Sequence, residues 1–494
     1  MNGRSSGILL PISSLPGPYG IGNLGRAAYE FIDYLTANEQ AYWQILPLGP
    51  TSIGDSPYQS FSTYAGNPYL IDLAPLIEAG LLTPQEVALP EHDAERIDYG
   101  LIYQTRIDRL KLAYQRCDDK MMSAVLAFAA EEDWLEDYAL FMTMKDLHDG
   151  AAWYVWPEAD KFRHDERLHE IKANHQTELY FWYFVQYLFF SQWHALRTYA
   201  EDNGIEIIGD IPLYVAQDSV DVWTSPELFL LDEDRLPIAV AGYPPDDFSS
   251  AGQLWGNPLF DWSKMKQDDY LWWQHRLVHQ MRLYHIVRLD HFIGFHRFWM
   301  IPYGDSDATR GKWQYGPGSD FFLTVLQARP ELHLIAEDLG IVTKAVTAMR
   351  QAAGLPSMRV LMFGFDPTGD SENAPHHYTL DTIAYTGTHD NDTVIGWWQK
   401  LSPEQQAYVR DYLDFDGDEI VDAMLRTLYR SGARITLTTM QDLLGQDNAA
   451  RINEPNTMGN WTYRLPPDYL ERLEPNYLAN LTKTYRRHPD ELIQ

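Results

Sequence analysis

The sequence predicts an α/β fold, a (β/α)8 TIM barrel with helical subdomain insertions in its loops. Eight short apolar runs, each followed by polar residues or Gly, recur along the 494 residues. Helix-like stretches separate them, as expected of parallel strands covered by helices. Ionisable residues fall at several run ends, where barrels gather function. The runs begin at Gly7, Tyr42, Ile205, Tyr284, Leu332, Arg359, Thr382 and Arg434. An open doubly wound sheet is the structural alternative.

Two long segments between these runs predict insertions into one catalytic domain covering residues 1–494. The first, at about 75–200, exceeds what a crossover helix needs. Within it Leu135, Tyr138, Met142 and Lys145 follow the stripe of a surface helix. The second, at about 222–283, is expected to hold a structured binding loop and helices, since residues 241–262 are rich in Pro, Gly and aromatics without periodicity.

Composition excludes several classes of partner. Lys and Arg total 38 against 70 Asp and Glu, giving a net charge of −32, which disfavours nucleic acid and anionic membrane surfaces. The single cysteine, Cys117, can form neither an internal disulfide nor a thiolate zinc site. We expect the chemistry of the chain to need no metal and no cofactor. The chain shows neither an export signal nor a transmembrane segment, so we expect a cytoplasmic protein.

Two carboxyl groups at run ends suit glycoside chemistry. Asp290 follows Arg288 by two positions, so both side chains share one face of a strand and the guanidinium would keep Asp290 ionised as a nucleophile. Glu337 follows an apolar run, where burial should raise its pKa as a proton donor requires. Asp338 is a competing candidate, but adjacent strand residues face opposite ways, which favours a structural role for it.

Further polar and aromatic residues suit sugar binding. Asp390 closes the seventh run and would stabilise an oxocarbenium-like state, while His389 beside it would bond sugar hydroxyls. His291 flanks the proposed nucleophile and is a second functional histidine. In the turn-rich segment after the second run, Ser56 and Tyr58 pair hydrogen bonding with a stacking face.

The chain resembles the 4-α-glucanotransferases of the amylomaltase (disproportionating enzyme) type, glycoside hydrolase family 77. The resemblance covers nearly the whole chain and rests on long ungapped strings. These are SLPGPYGIGNLG, YWQILPLGPTSIGDSPYQSFSTYAGNPYLIDL, GDIPLYVAQDSVDVW, PPDDFSSAGQLWGNP, RLDHFIGF, IAEDLG, YTGTHDNDT and GNWTYR.

The resemblance implies a barrel without a carboxyl-terminal β-sandwich domain, and it implies roles for individual residues. The catalytic trio would be Asp290 as nucleophile, Glu337 as acid/base and Asp390 as transition-state stabiliser. The glucosyl units nearest the scissile bond would be held by Arg288, His389, Asp210, Tyr58 and Trp255, with Asn453 as a further candidate. The loop around Pro245 and Phe248 would wrap the glucan. Asp247 and Ile293 depart from the family pattern, and we expect them to alter the product range.

We therefore predict a retaining transglycosylase that moves α-1,4-glucan segments through a covalent glucosyl-enzyme intermediate. Its donors would be α-1,4-glucans and maltooligosaccharides, and its acceptors glucose or maltooligosaccharides, giving disproportionation or cyclisation. One rival is a hydrolase that delivers water to the same intermediate. Another is a noncatalytic glucan-binding protein with a relic site.

Overall fold

The computed structural model describes residues 3–245 and 249–488, and its central feature is a sheet of eight parallel strands. The strands of the described residues, in chain order, are β1 Ser5–Leu9, β2 Tyr42–Gln44, β3 Glu206–Ile211, β4 Ala239–Tyr243, β5 Gln253–Pro258, β6 Ile286–Leu289, β7 Arg297–Pro302, β8 Lys312–Tyr315, β9 Leu334–Ala336, β10 Ser357–Val360, β11 Thr382–Tyr385 and β12 Ile435–Thr439. The hydrogen-bonded order of the parallel sheet is β10-β11-β12-β1-β2-β3-β6-β9. Each predicted run supplies one strand of this sheet, so the barrel prediction is confirmed.

A side chain bridges the two ends of the hydrogen-bonded order. Asp338 follows β9, and its carboxylate accepts a hydrogen bond of 2.7 Å from the backbone N–H of Met358 in β10. Arg350 and Arg359 pair with the same carboxylate at 3.1 and 3.5 Å. These contacts confirm the structural role expected for Asp338, since they direct it into the barrel wall.

Side chains alternate between the two faces of each strand, and this alternation places an apolar layer inside the barrel with polar residues closer to the carboxyl ends of the strands. One buried cluster takes a side chain from every strand of the barrel sheet: Leu9, Tyr42, Ile208, Ile286, Ile335, Met358, Ile383 and Ile435. Because side chains two positions apart share a face, the next inward positions after Ile208 and Ile286 are Asp210 and Arg288. The carboxyl ends of the strands therefore carry a charged layer directly above an apolar one.

Helices surround the barrel and form most of the segment between β2 and β3. The α-helices are Arg26–Ala37, Ala74–Glu78, Pro84–Val87, Tyr99–Gln115, Asp119–Glu131, Leu135–Leu147, Glu158–Lys161, Asp165–Asn174, Gln176–Asp202, Val220–Thr224, Trp262–Met265, Leu271–Leu283, Ile293–His296, Ser319–Ala328, Lys344–Ala352, Val394–Lys400, Pro403–Leu413, Ile420–Arg430, Met440–Leu443, Tyr469–Arg472 and Tyr477–Tyr485. Short 3-10 helices are Ile12–Ser14, Ile53–Asp55, Pro68–Leu70, Trp153–Val155, Pro226–Leu228, Lys266–Asp268, Leu361–Gly364, Pro375–His377 and Asn448–Ala450. No helix within the described residues is long and apolar enough to cross a bilayer.

The helix predicted from the 135–145 stripe is present, but its surface character was predicted wrongly. Leu135–Leu147 packs against the long helix Gln176–Asp202 and is buried on most sides. Even Lys145 is buried, where its ammonium pairs with Asp218 at 2.7 Å and lies 4.7 Å from the ring centroid of Phe61. A cation at a buried position is stable because this partner satisfies it.

A second, antiparallel sheet of order β5-β4-β7-β8 corrects the prediction for residues 241–262. We expected an aperiodic loop there, but β4 takes its first three residues and β5 occupies Gln253–Pro258 in its second half. A register shift between Val240 and Gly242 breaks the alternation that would reveal a strand. The partner β7 also lies beyond β6, so the pairing is invisible in the local sequence.

Residues 20–25 have the G-x-G-x-x-G spacing of a dinucleotide-binding loop, the feature that would favour a doubly wound sheet. Close contacts within the chain explain why two of these positions are glycine. A Cβ on Gly22 would lie 2.0 Å from the carbonyl oxygen of Ile12, and one on Gly25 would lie 2.5 Å from the carboxylate of Asp72. The glycines therefore permit close packing, and the barrel topology rejects the alternative.

Candidate active site

Arg288 connects two carboxylates at the carboxyl end of the barrel. Its Nη1 lies 2.8 and 2.7 Å from the two oxygens of Asp210 and 3.0 Å from Oδ1 of Asp290. Asp210 and Arg288 are almost fully buried, whereas the Asp290 side chain keeps 27% of its surface exposed. One side of Asp290 is thus fixed by a cation, and part of it faces the open end of the barrel.

The pKa of Asp290 differs in direction from the sequence expectation. Burial raises it, and the negative charges of Asp210 and Asp390 add to that effect. Arg288 opposes the rise, and the resulting pKa is about 6. The guanidinium therefore does keep Asp290 ionised at neutral pH, but only against a desolvation effect that the sequence pattern did not reveal.

Glu337 is held by two backbone donors. Its Oε2 accepts a hydrogen bond of 2.8 Å from the N–H of His291, and its Oε1 accepts one of 3.0 Å from the N–H of Leu339. His291 has φ of 52°, a left-handed conformation, in the turn directly after Asp290. His291, which directly follows Asp290, thus orients the carboxyl group of Glu337.

Burial also raises the pKa of Glu337, to about 8, and the negative charge of Asp290 contributes. Arg288 and the two backbone donors lower it only in part. At pH 7 Glu337 is therefore mainly protonated while Asp290 is mainly ionised. Two neighbouring carboxyl groups in opposite protonation states can supply an acid and a nucleophile at once.

Asp390 has the opposite electrostatic setting. Burial would raise its pKa, but His389 and the amide of Asn453 outweigh burial and lower it to about 2. Asn453 Nδ2 donates a 2.6 Å hydrogen bond to Oδ1, and His389 Nε2 lies 3.3 Å from Oδ2. Asp390 is therefore a permanent negative charge, which suits stabilisation of a cationic sugar ring.

Tyr58 joins the two sides of the site. Its hydroxyl donates to Asp210 Oδ2 at 2.8 Å and lies 2.8 Å from His389 Nε2. Its ring stacks on His389 with centroids 5.3 Å apart. The Ser56 hydroxyl accepts the backbone N–H of Tyr58 at 3.2 Å, so Ser56 shapes the turn that presents Tyr58.

Trp255 on β5 contacts the ring of His291, the residue that follows Asp290. The two rings meet edge to face, 4.8 Å apart and at 89°. Burial lowers the pKa of His291 to about 4, so this imidazole is neutral at pH 7. Gln59 and Asn257 exchange side-chain hydrogen bonds of 3.1 and 3.4 Å, which tie the Tyr58 segment to β5.

The predicted glucan-wrapping loop and the two departures from the family pattern are the remaining sequence predictions for this site. Pro245 is exposed at the end of the first described range, and Phe248 and Asp247 lie outside the described residues. Ile293 is buried at the start of a short helix after β6.

Two residues of this region were not singled out from the sequence. Trp461 lies with its ring centroid 5.8 Å from that of Tyr58 and 6.0 Å from that of His389. Arg451 donates to the backbone carbonyls of Asp390 and Asn453 at 2.7 and 2.8 Å. Both residues lie more than 60 positions after Asp390 in the sequence, so local patterns do not reveal these contacts. The GNWTYR string nevertheless offered a signal for Trp461.

Comparisons with known proteins agree over the full length of the chain. A family model described as 4-alpha-glucanotransferase matches residues 10–470. A 4-alpha-glucanotransferase of Streptococcus pneumoniae serotype 4 is 44% identical, with 100% of this chain and 99% of the relative aligned. One of Thermus thermophilus is 43% identical over 94% of this chain and 96% of the relative. The solved amylomaltase from Streptococcus agalactiae in complex with acarbose is 41% identical, covers 98% of this chain and 99% of its own, and superposes with a TM-score of 0.95.

Proposed function

The chain belongs to the 4-alpha-glucanotransferase family, and we propose that it is a retaining transglycosylase that moves α-1,4-glucan segments to the 4-hydroxyl of an acceptor sugar. The observation that supports this most strongly is the placement of the two carboxyl groups. Arg288 Nη1 lies 3.0 Å from Asp290 Oδ1, and the N–H of His291, the residue directly after Asp290, donates to Glu337 Oε2 at 2.8 Å. A retaining glycosidase uses two such neighbouring carboxyl groups, one as nucleophile and one as acid/base, and the raised pKa of Glu337 suits the acid.

In the first step Asp290 attacks the anomeric carbon of the donor, and the bond to the leaving 4-oxygen breaks. Glu337 gives its proton to that oxygen, so the departing segment leaves as a neutral alcohol. The product of this step is a β-linked glycosyl ester on Asp290. The hydrogen bonds from His291 and Leu339 hold Glu337 in position throughout.

In the second step Glu337 acts as a base. It removes the proton from the acceptor hydroxyl, whose oxygen attacks the anomeric carbon. The bond between that carbon and the Asp290 carboxylate breaks, and Asp290 is released in its ionised form. Both transition states carry positive charge on the sugar ring, and the ionised Asp390 stabilises that charge. Two inversions restore the α-configuration, and these residues perform both steps.

Residues around the trio would hold the glucosyl units on either side of the scissile bond. Tyr58, Asp210, Arg288 and His389 form one connected hydrogen-bonded set beside Asp290 and Asp390. Trp255 and His291 offer aromatic surface, which suits the apolar faces of sugar rings. We propose α-1,4-glucans and maltooligosaccharides as donors, and glucose or maltooligosaccharides as acceptors.

We propose that residues 1–494 act as one catalytic domain. The insertions of about 75–200 and about 222–283 would then shape the glucan path. The buried ion pair between Lys145 and Asp218 supports a single domain, because it joins the helical insertion to the loop after the barrel strand β3.

Product analysis with maltotriose separates transfer from hydrolysis. A transferase converts maltotriose into glucose and a ladder of longer maltooligosaccharides, whereas a hydrolase yields glucose and maltose without longer chains. Asp290→Asn should abolish both, and Asp411→Asn, an exposed carboxylate on the helix Pro403–Leu413, is the matched control. Full turnover by Asp290→Asn would contradict the mechanism, because both transfer and hydrolysis by the retaining route need Asp290 as the nucleophile.

A further inference from the structure

We propose that Asp370, His376 and His377 form a surface binding site for a divalent transition-metal ion of the Zn²⁺ type. Their ligand atoms all lie within 4.8 Å of one another. Across the described ranges, no other group of three or more His, Cys, Asp or Glu residues meets this spacing. The three residues lie between β10 and β11, on a stretch that the proposed transfer reaction does not use.

The distances suit a shared ion. The Nε2 atoms of His377 and His376 lie 2.7 and 3.1 Å from the same oxygen, Oδ1 of Asp370. Tetrahedral Zn²⁺ with bonds of about 2.0–2.1 Å holds its ligand atoms about 3.3 Å apart. The side chains are 43–66% exposed, so small rotations can open the cluster by a few tenths of an ångström. Water would complete the coordination.

A second observation is the support behind His376. Its Nδ1 lies 2.6 Å from the hydroxyl of Tyr412, which belongs to the helix Pro403–Leu413. An outer hydrogen bond of this kind fixes the ring orientation of a metal-bound histidine and leaves Nε2 free for the ion.

The ligand types decide the class of ion. Two imidazoles and one carboxylate suit Zn²⁺, Co²⁺, Ni²⁺ or Cu²⁺, whereas Mg²⁺ and Ca²⁺ prefer oxygen ligands throughout. Binding would tie residues 370–377 to Tyr412 and so join the β10–β11 connection to a helix that follows β11. We infer a stabilising role, because an ion that binds only the folded form favours folding.

Titration of untagged, chelator-treated protein tests this site directly. Calorimetry with Zn²⁺, and visible absorption with Co²⁺, should each give one site per chain, with a tetrahedral Co²⁺ spectrum. His376→Ala and His377→Ala should weaken binding at least tenfold, and Tyr412→Phe about tenfold. His169→Ala, which removes an exposed histidine elsewhere, should leave binding unchanged.

Absence of binding to the wild-type chain would overturn the proposal. So would equal affinity in the His376→Ala and His377→Ala variants, since the ion would then be adventitious. Turnover of maltotriose is measured separately and is expected to be the same with and without the ion.

Discussion

The rate of glucan transfer should follow a bell-shaped dependence on pH. Asp290 must be ionised to attack, so activity is lost as the pH falls through its pKa of about 6. Glu337 must be protonated to assist the leaving group, so activity is lost as the pH rises through its pKa of about 8. The two groups influence each other, and the profile reports the values of the pair.

The size of the effect follows from these two values. With pKa values of about 6 and about 8, about four-fifths of the enzyme holds both groups in the required form at pH 7. That fraction falls to about one-tenth at pH 5 and at pH 9. The value of kcat/KM should therefore drop about ninefold on each side of the optimum.

The assay measures kcat/KM for maltotriose between pH 5 and pH 9 at constant ionic strength. A maltosyl fluoride donor, whose leaving group needs no proton, assigns the alkaline limb. That limb should disappear from the glycosylation step with the fluoride, while the acid limb remains. A flat profile, or an alkaline limb that survives with the fluoride donor, would refute the assignment of Glu337 as the acid.

Three substitutions extend the account. Asn453→Ala removes a 2.6 Å bond to the charged Asp390, so kcat should fall by about tenfold to a hundredfold, the equivalent of about 1.5–3 kcal/mol, while the melting temperature stays nearly constant. Arg288→Gln removes the cation beside Asp290, so the acid limb of the profile should move to higher pH; an unmoved limb would contradict the pairing. Asp338→Asn removes the buried carboxylate that pairs with Arg350 and Arg359 and leaves them only the exposed partners Asp381 and Glu372. Urea unfolding should therefore show a loss of about 3 kcal/mol, and an unchanged midpoint would argue against the structural role of Asp338.

The sequence predicted well those features that depend on local periodicity. Each barrel strand is a short apolar run, and the two-residue alternation from Ile286 through Arg288 to Asp290 places the ion pair as expected. The same reasoning separated Glu337 from Asp338, because adjacent strand residues face opposite sides.

Features that depend on distant partners could not be predicted in this way. The sheet formed by β4, β5, β7 and β8 joins segments on both sides of β6, and the burial of Lys145 depends on Asp218. The upward shift in the pKa of Asp290 arises from desolvation and from Asp210 and Asp390, which neighbour it only in the folded chain. Arg451 reaches Asp390 from a loop 61 residues further along.

The most direct test of the transfer mechanism is to trap the glycosyl ester on Asp290. A Glu337→Gln variant supplied with maltosyl fluoride should form the ester, because fluoride leaves without an acid, and should release it slowly for lack of a base. Intact-protein mass spectrometry should show one added maltosyl unit, and peptide mapping should locate it on Asp290. Release of fluoride without an adduct, or an adduct on another residue, would contradict the mechanism.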